Sequence, residues 1–458
     1  FAAQGHTFEG EWRATEGSRY FQSPLLYKEN GFKKREDAVT LCRILSANEP
    51  MEAVIEKLEK KKENKNPPLL FNLAELQNEC SRLFKLSPDE TLKLVQELYE
   101  KKLVTYPRTD ARVLSTAVAK EISRNLSGLT YYTHAGEFAK EILEGKAYQN
   151  LAKTRYVNDK QITDHYAIIP TGQGLGALKS LSVQGEKVYE VIVRRFLSIF
   201  YPPAVYQKVS IVSVMDKERF FSSFKVLVSE GYFKVTGYSF GKKKEEENQK
   251  EEEQTADTSL LEVLQSLKKG SILPLEKLTI KEGETSPPKR YTSGSMILAM
   301  ENAGQLIEDE ELRAQIKGSG IGTSATRAEI LKKLVSIQYL ALNKKTQVIT
   351  PTLLGEMIFD VVNASIRSLL NPELTASWEK GLTYVAEGSI TSEEYMTKLE
   401  NFIRSRTQGV LDLRNQFALK QYFDAAAPYY EKSRSKSSKT SGKKGKTSEK
   451  KVGKSTLS

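Results

Sequence analysis

Apolar residues recur at helical spacing from Leu69 to about Phe196. Leu73, Leu76, Cys80, Leu83 and Phe84 fall on one face of a first helix, and Leu92, Val95, Leu98 and Tyr99 on one face of the next. Ser87-Pro88-Asp89-Glu90 opens that second helix: serine caps it, proline takes the first turn, and Glu90 completes a capping box. Residues 1–34 mix aromatic and polar positions as strands do, and the pattern predicts helix over Arg35–Lys62, ending in Lys60-Lys61-Lys62-Glu63. Over 205–240 the period shortens to two: Val209 and Ile211, then Phe224, Val226 and Val228, then Phe233 and Val235. The block Lys242–Glu253 reads as a solvated loop or frayed helix. Strand-like sequence resumes at Ser271–Glu284. Helical spacing then dominates from Ser295, through Ile297, Met300 and Ile307 to Ile330, Leu331 and Leu334. No internal repeat of useful length is visible.

A chain that returns from helices to strands predicts a discontinuous α+β, multidomain architecture. Segments 1–68 and 197–288 together build a β arch, interrupted by a helical domain over 69–196. A second helical domain covers 289–425, and 426–458 forms a disordered basic tail.

Charge and composition narrow the partners. The net charge of +11 points to a polyanion, yet Glu431–Ser458 alone contributes +8, so the body carries only +3 and any anion site in it is a local groove. The tail is Lys, Ser, Gly and Thr with almost nothing apolar, too little to offset the entropy of ordering it. Cys42 and Cys80 stand far apart at helix-like apolar positions, which favours buried reduced thiols over a disulfide or a metal. No apolar run has the length of a membrane span, so cytoplasm is the default expectation. The chain opens on Phe1 and enters at once on Gly5-His6-Thr7-Phe8-Glu9-Gly10-Glu11-Trp12, which reads as the interior of a sheet domain and hence as part of a longer protein.

The candidate chemistry lies after the second helix, in Thr105-Tyr106-Pro107-Arg108-Thr109-Asp110. Proline stops the helix there. A phenol, with a pKa of about 10, is a poor nucleophile unless its target is positioned and activated. A guanidinium two residues away can do both for a phosphodiester.

The surrounding blocks are Pro67-Pro68-Leu69-Leu70-Phe71-Asn72-Leu73-Ala74-Glu75-Leu76-Gln77, Thr163-Asp164-His165-Tyr166-Ala167-Ile168-Ile169-Pro170-Thr171, Pro287-Pro288-Lys289-Arg290-Tyr291-Thr292 and Gly320-Ile321-Gly322-Thr323-Ser324-Ala325-Thr326-Arg327. In this order, over roughly residues 1–425, the chain resembles the type IA DNA topoisomerases, most closely the bacterial topoisomerase III branch. The resemblance implies a toroid whose arch lifts a helical domain to open a gate, with a single-strand groove at its base.

It also implies roles. Tyr106 would attack a phosphodiester and hold the 5′ phosphate, so that religation needs no ATP. Arg108 would grip the nonbridging oxygens, and His165 would donate to the scissile phosphate. Asp110 and Asp164 would orient their neighbours. Arg290, Tyr291, Thr292, Gly320, Gly322, Thr323, Ser324, Thr326 and Arg327 would line the path of single-stranded or underwound DNA. The sequence departs from the family pattern at Ala111, Tyr166 and Ser293, where serine, a second histidine and an acidic residue are common. The family's Mg²⁺ carboxylates lie in an N-terminal Toprim domain, and no Asp-x-Asp pair occurs in this chain. The expectation is therefore a chain with no metal ligands of its own, served by a Toprim-containing segment elsewhere, in trans if need be. A noncatalytic single-stranded DNA-binding remnant is the alternative. A relaxase would need clustered histidines and a tyrosine recombinase a tyrosine near its C-terminus, and neither fits.

Overall fold

The computed structural model describes residues 1–162, 164–241, 254–255, 258–307, 310 and 320–441. It is α+β and divides into two compact units. The first holds Phe1–Phe71, Leu98–Thr105 and Ala111–Pro288; the second holds Asn72–Glu97, Tyr106–Asp110 and the described residues from Lys289 on. The division cuts across the segments drawn from sequence, because the first helices after Phe71 pack with residues beyond Lys289.

The first unit is built on an antiparallel sheet in the order Ile272–Pro274, Glu52–Lys65, Ala204–Met215, Glu218–Ser229, Glu11–Arg13, with Gln254–Thr255 added parallel to Glu218–Ser229. Its register pairs Lys62 with Gln207, Ile211 with Ser222 and Trp12 with Phe220. Strict alternation along the two long strands after Ala204 turns Val209, Ile211, Phe220, Phe224 and Val226 inward. They meet Leu41, Leu45, Ile55 and Leu273 in one core. At one end of it Glu218, fully buried, accepts from Trp12 Nε1 at 2.8 Å, Ser18 Oγ at 2.6 Å and the Arg19 amide at 3.0 Å.

Three local expectations are corrected. Helix ends at Ser46, and Glu52–Lys65 is a strand. Three of its charged side chains are satisfied by distant partners: Glu56 by Arg219 at 2.7 Å, Glu63 by Lys225 at 2.9 Å, and Lys60 Nζ by the carbonyl of Gln265 at 2.6 Å. Phe233 and Val235, expected in a strand, lie in the short helix Phe233–Thr236. Of the stretch 271–284 only Ile272–Pro274 pairs as strand.

Helices Thr116–Leu129, Gly136–Glu144 and Val183–Ser198 complete the first unit. Inside it Glu190 Oε1 accepts from Arg194 Nε at 2.6 Å and from the Ser239 amide at 2.7 Å. The same guanidinium donates to the carbonyls of Val235 and His134, each at 2.9 Å. Both side chains are under 10% exposed. Truncating one partner strands a buried charge, so Glu190→Ala lowers unfolding free energy by ~3–5 kcal/mol, read by denaturant titration. A change under ~1 kcal/mol would contradict the burial of this pair.

In the second unit, helix Leu73–Phe84 is capped by Asn72, and helix Pro88–Glu100 opens with the expected box: the Ser87 amide donates to Glu90 Oε2 at 2.8 Å and the Glu90 amide to Ser87 Oγ at 3.3 Å. Helix Ser293–Glu301 packs against Leu73–Phe84 at Gly294, where a Cβ would stand 2.6 Å from Asn78 Cα. Ala74, Ile297, Leu331 and Ile349 form the small core beneath, closed by the hairpin Leu340–Leu342 and Ile349–Pro351. Helices Leu353–Ser365, Pro372–Ala386, Ser392–Leu411 and Gln416–Ser441 follow. The last runs through 426–441, correcting the expectation that disorder begins at 426. Ala425, Ala426 and Ala427 are strong helix formers, and Tyr430 donates to Glu356 Oε2 of the Leu353 helix at 2.5 Å. The blocks 242–253 and 442–458 lie outside the described residues. Among the described residues no helix is long and apolar enough to cross a membrane.

Candidate active site

The loop Tyr106–Asp110 follows the Pro88–Glu100 helix and belongs to the second unit. Pro107 is buried, Tyr106 half-buried and Arg108 exposed. The far end of the loop is tied down. Thr109, 4% exposed, accepts from the Leu73 amide at 3.1 Å through its carbonyl. Asn72 Nδ2 donates to the Asp110 carbonyl at 3.1 Å and to Glu301 Oε1 at 2.6 Å, while Asn72 Oδ1 caps the helix by accepting from the Glu75 amide at 2.9 Å.

Arg327 closes this arrangement. Its side chain is 1% exposed; Nη1 donates to Asp110 Oδ1 at 2.8 Å, Nε to the Ile321 carbonyl at 3.2 Å and Nη2 to the Gly322 carbonyl at 3.2 Å. Glu301 Oε1 lies 4.0 Å from the same Nη1. Asp110 is thus the partner of Arg327 and not of Arg108. Arg327, expected along the strand path, is enclosed, and it braces the Tyr106–Asp110 loop against the glycine turn. Burial pushes the Glu301 carboxyl above its ordinary range. Arg327 pulls it back, Asp110 pushes it up, the Asn72 bond lowers it and Glu75 raises it.

The turn Gly320–Arg327 is held mainly by its own groups. The Ile321 amide donates to the Met300 carbonyl at 2.8 Å, and the Thr326 and Arg327 amides both donate to the Thr323 carbonyl at 3.0 Å. The Thr323 amide donates to Thr326 Oγ1 at 2.9 Å, and the two threonine hydroxyls lie 3.1 Å apart. The amides of Thr323, Thr326 and Arg327 are thus spent inside the turn, and that of Ile321 on the helix before it. The side chains of Thr323 and Thr326 are exposed, Ser324 and Gly322 are half-buried, and Gly320 is buried.

Gly320 has φ +62°, and a Cβ there would stand 2.4 Å from the Glu301 carbonyl oxygen and 2.5 Å from that of Met300. Backbone atoms cannot swing aside. Gly320→Ala therefore costs about 2–5 kcal/mol, measured by chemical denaturation, and a neutral result would contradict this turn.

In the neighbouring segment Arg290 and Tyr291 are exposed, Tyr291 by 53%. Thr292 caps the Ser293–Glu301 helix by accepting from the Ser295 amide at 3.2 Å. Its hydroxyl is therefore a structural group. Gln77, in the first matching block, is buried and donates to the Pro88 carbonyl at 3.0 Å.

His165 and Asp164 belong to the first unit, and both are exposed. Their segment runs into Ala167–Thr171, which is bonded to the strand-like stretch Leu103–Thr105. Thr105 Oγ1 donates to the Ala167 carbonyl at 3.1 Å, and the Thr105 amide to the Ile169 carbonyl at 3.0 Å. The structure therefore gathers Tyr106, Arg108, Asp110, Thr292 and the glycine turn into one unit, and assigns His165 and Asp164 to the other. Glu301 and Asn72 went unremarked in the sequence. Asn72 carried a local signal, a cap residue ahead of Glu75; Glu301 carried none, because its partners lie 229 and 26 residues away.

Similarity to known proteins agrees with the motifs. A family described as DNA topoisomerase matches residues 11–397. The DNA topoisomerase 3 of Bacillus licheniformis is 32% identical over 385 residues, covering 83% of this chain and 50% of that protein. That of Bacillus subtilis is 32% identical over 377 residues, 81% of this chain and 49% of that protein. The structure of full-length topoisomerase I from Thermotoga maritima aligns with a TM-score of 0.57 at 25% identity, covering 82% of this chain and 55% of that one. The chain thus spans about half the length of the relatives it matches. On the ordered motifs, the clamped tyrosine loop and these likenesses together, the chain belongs to the type IA DNA topoisomerase family, in its topoisomerase III-like branch.

Proposed function

We propose that this chain supplies the nucleophile and part of the strand-binding surface of an enzyme that cleaves and rejoins one DNA strand, changing supercoiling or catenation without ATP. The observation that carries this reading is the loop Tyr106–Asp110: a half-buried phenol two residues from an exposed guanidinium, on a loop whose backbone is bonded by Asn72 and Leu73 and whose Asp110 carboxylate is bonded by Arg327. Tyr106 Oη forms a bond to phosphorus as the bond from phosphorus to the 3′ oxygen breaks, and the phenolic proton ends on that oxygen. Religation is the reverse, with no water or nucleotide consumed. Arg108 neutralises the nonbridging oxygens as charge develops. By the resemblance, His165 has the role of a phosphate donor, with Asp164 orienting it. Arg290, Tyr291, Thr323, Ser324 and Thr326 contact an unstacked strand, while Thr292, Gly320, Gly322 and Arg327 shape that surface from within. The setting is cytoplasmic.

The resemblance implies Mg²⁺. Among the described residues no three His, Cys, Asp or Glu side chains group as metal ligands, so these residues do not fit the ion and no step here runs through it. The carboxylates belong, in this proposal, to a separate segment supplied in cis or in trans.

Covalent capture tests the reading. A single-stranded oligonucleotide labelled at its 3′ end is incubated with Mg²⁺ and the chain, with and without the Toprim region of a relative, then denatured. Label on the protein only when that region is present establishes the split site. Binding without any adduct under both conditions sinks the catalytic reading and leaves a DNA-binding remnant.

A further inference from the structure

Glu301 reaches both ends of the brace on the nucleophile loop with one carboxylate oxygen, and no motif singles it out. Its carboxylate is 17% exposed, at the last turn of the Ser293–Glu301 helix. Oε1 takes the Asn72 amide at 2.6 Å and faces Arg327 Nη1 at 4.0 Å. Asn72 has one amide and three partners: Oδ1 receives the Glu75 amide, and Nδ2 serves Glu301 and the Asp110 carbonyl. The Glu75 amide on Oδ1 and the acceptors at Glu301 and Asp110 on Nδ2 together fix which way that amide is turned. Removing Glu301 takes away the shortest of the three bonds that hold it toward the Asp110 carbonyl. Arg327 is likewise shared between the Asp110 and Glu301 carboxylates.

We infer that Glu301 is a positioning residue for the Tyr106–Asp110 loop, acting through Asn72 and Arg327 to hold the tyrosine and Arg108 in register for attack. The inference rests on the reading of Tyr106 as nucleophile for its activity arm alone.

Stability and function pull in opposite directions at this site. A carboxyl raised above its ordinary range binds its proton more tightly folded than unfolded. It favours the fold below that range, and this advantage is lost as pH rises through the raised value. Above the raised value the carboxylate, facing Asp110 and Glu75 as well as Arg327, is a burden on the fold. A residue kept only for stability would be better as glutamine.

Three variants separate the possibilities: Glu301→Gln keeps an acceptor for Asn72, Glu301→Ala keeps nothing, and Glu301→Asp keeps the charge but withdraws it. In the full chain, hydrogen exchange is followed over residues 72–75, which contain the Leu73 amide bonded to Thr109, and over the core strand Ala204–Met215 as a control. Glu301→Ala accelerates exchange at 72–75 by about 10-fold or more with the control unchanged, as expected for loss of a hydrogen bond to a charged group. Glu301→Gln is at least as stable as the parent at neutral pH, with a flatter dependence between neutral and acid pH. In covalent capture Glu301→Ala lowers the rate of adduct formation at saturating oligonucleotide about 10-fold or more, with half-saturation unchanged, while Glu301→Gln, which keeps the acceptor, and Glu301→Asp each recover part of it. Unchanged exchange or parental capture in Glu301→Ala overturns the inference. If the parent forms no adduct at all, the nucleophile reading fails while the exchange arm still decides the positioning role.

Discussion

Tyr106→Phe abolishes the protein–DNA adduct, lowering covalent capture by at least about 10⁴-fold, while binding of the single strand stays within a few-fold of the parent. The substitution removes one oxygen from a half-buried side chain whose position is set by its backbone: Pro107 on one side, and Thr109 and Asp110 held by Leu73, Asn72 and Arg327 on the other. Loss of a single hydroxyl changes stability by about 0.5–1.5 kcal/mol, far too little to unfold the second unit. The adduct is read as label from a 3′-labelled oligonucleotide that survives denaturation, and binding as anisotropy of the same strand. Label persisting in Tyr106→Phe would place the nucleophile on another of the chain's tyrosines and end the proposed assignment.

Arg108→Ala has the second largest effect, a loss of about 10²–10³-fold in the rate of adduct formation. Arg108 is exposed, and the acid two residues on is engaged with Arg327 at 2.8 Å, so its guanidinium is not the partner of Asp110. Truncating an exposed side chain of this kind shifts stability by about 0.5 kcal/mol at most, so the loss falls on chemistry. Arg108→Lys restores only a small part, because an ammonium is a point charge and cannot span two phosphate oxygens as the planar fork does. Capture kinetics at saturating oligonucleotide, with thermal melts alongside, check both variants. Parental rates in Arg108→Ala would remove it from the site.

The helices flanking the candidate nucleophile were legible because their information is local. Leu73, Leu76 and Cys80 recur at one spacing, and Ser87 and Glu90 satisfy each other three residues apart. The strands around Val209 and Phe224 were legible for the same reason, since each alternation is written in consecutive residues. Glu52–Lys65 was not. Its lysines and glutamates match a solvated helix as well as a strand, and the choice is made by Ala204–Met215 alongside and by Arg219 and Lys225 reaching its carboxylates. Phe233 and Val235 erred the other way: two alternating apolar residues are too few to distinguish a strand from one helical turn.

By itself the sequence determined which chemistry is on offer. Tyr106, Arg108 and His165 lie in motifs whose order places the chain among the topoisomerases, and a motif needs only neighbouring residues to be read. The tertiary structure alone decided how that chemistry is held. It buried Arg327 instead of presenting it, joined it to Asp110 across 217 positions, and spent the amides of Thr323, Thr326 and Arg327 on the turn. It also brought Glu301 to Asn72 across 229. A guanidinium looks the same in sequence whether it meets a phosphate or a buried carboxylate. Only the surrounding chain, by excluding water and supplying the partner, makes the difference.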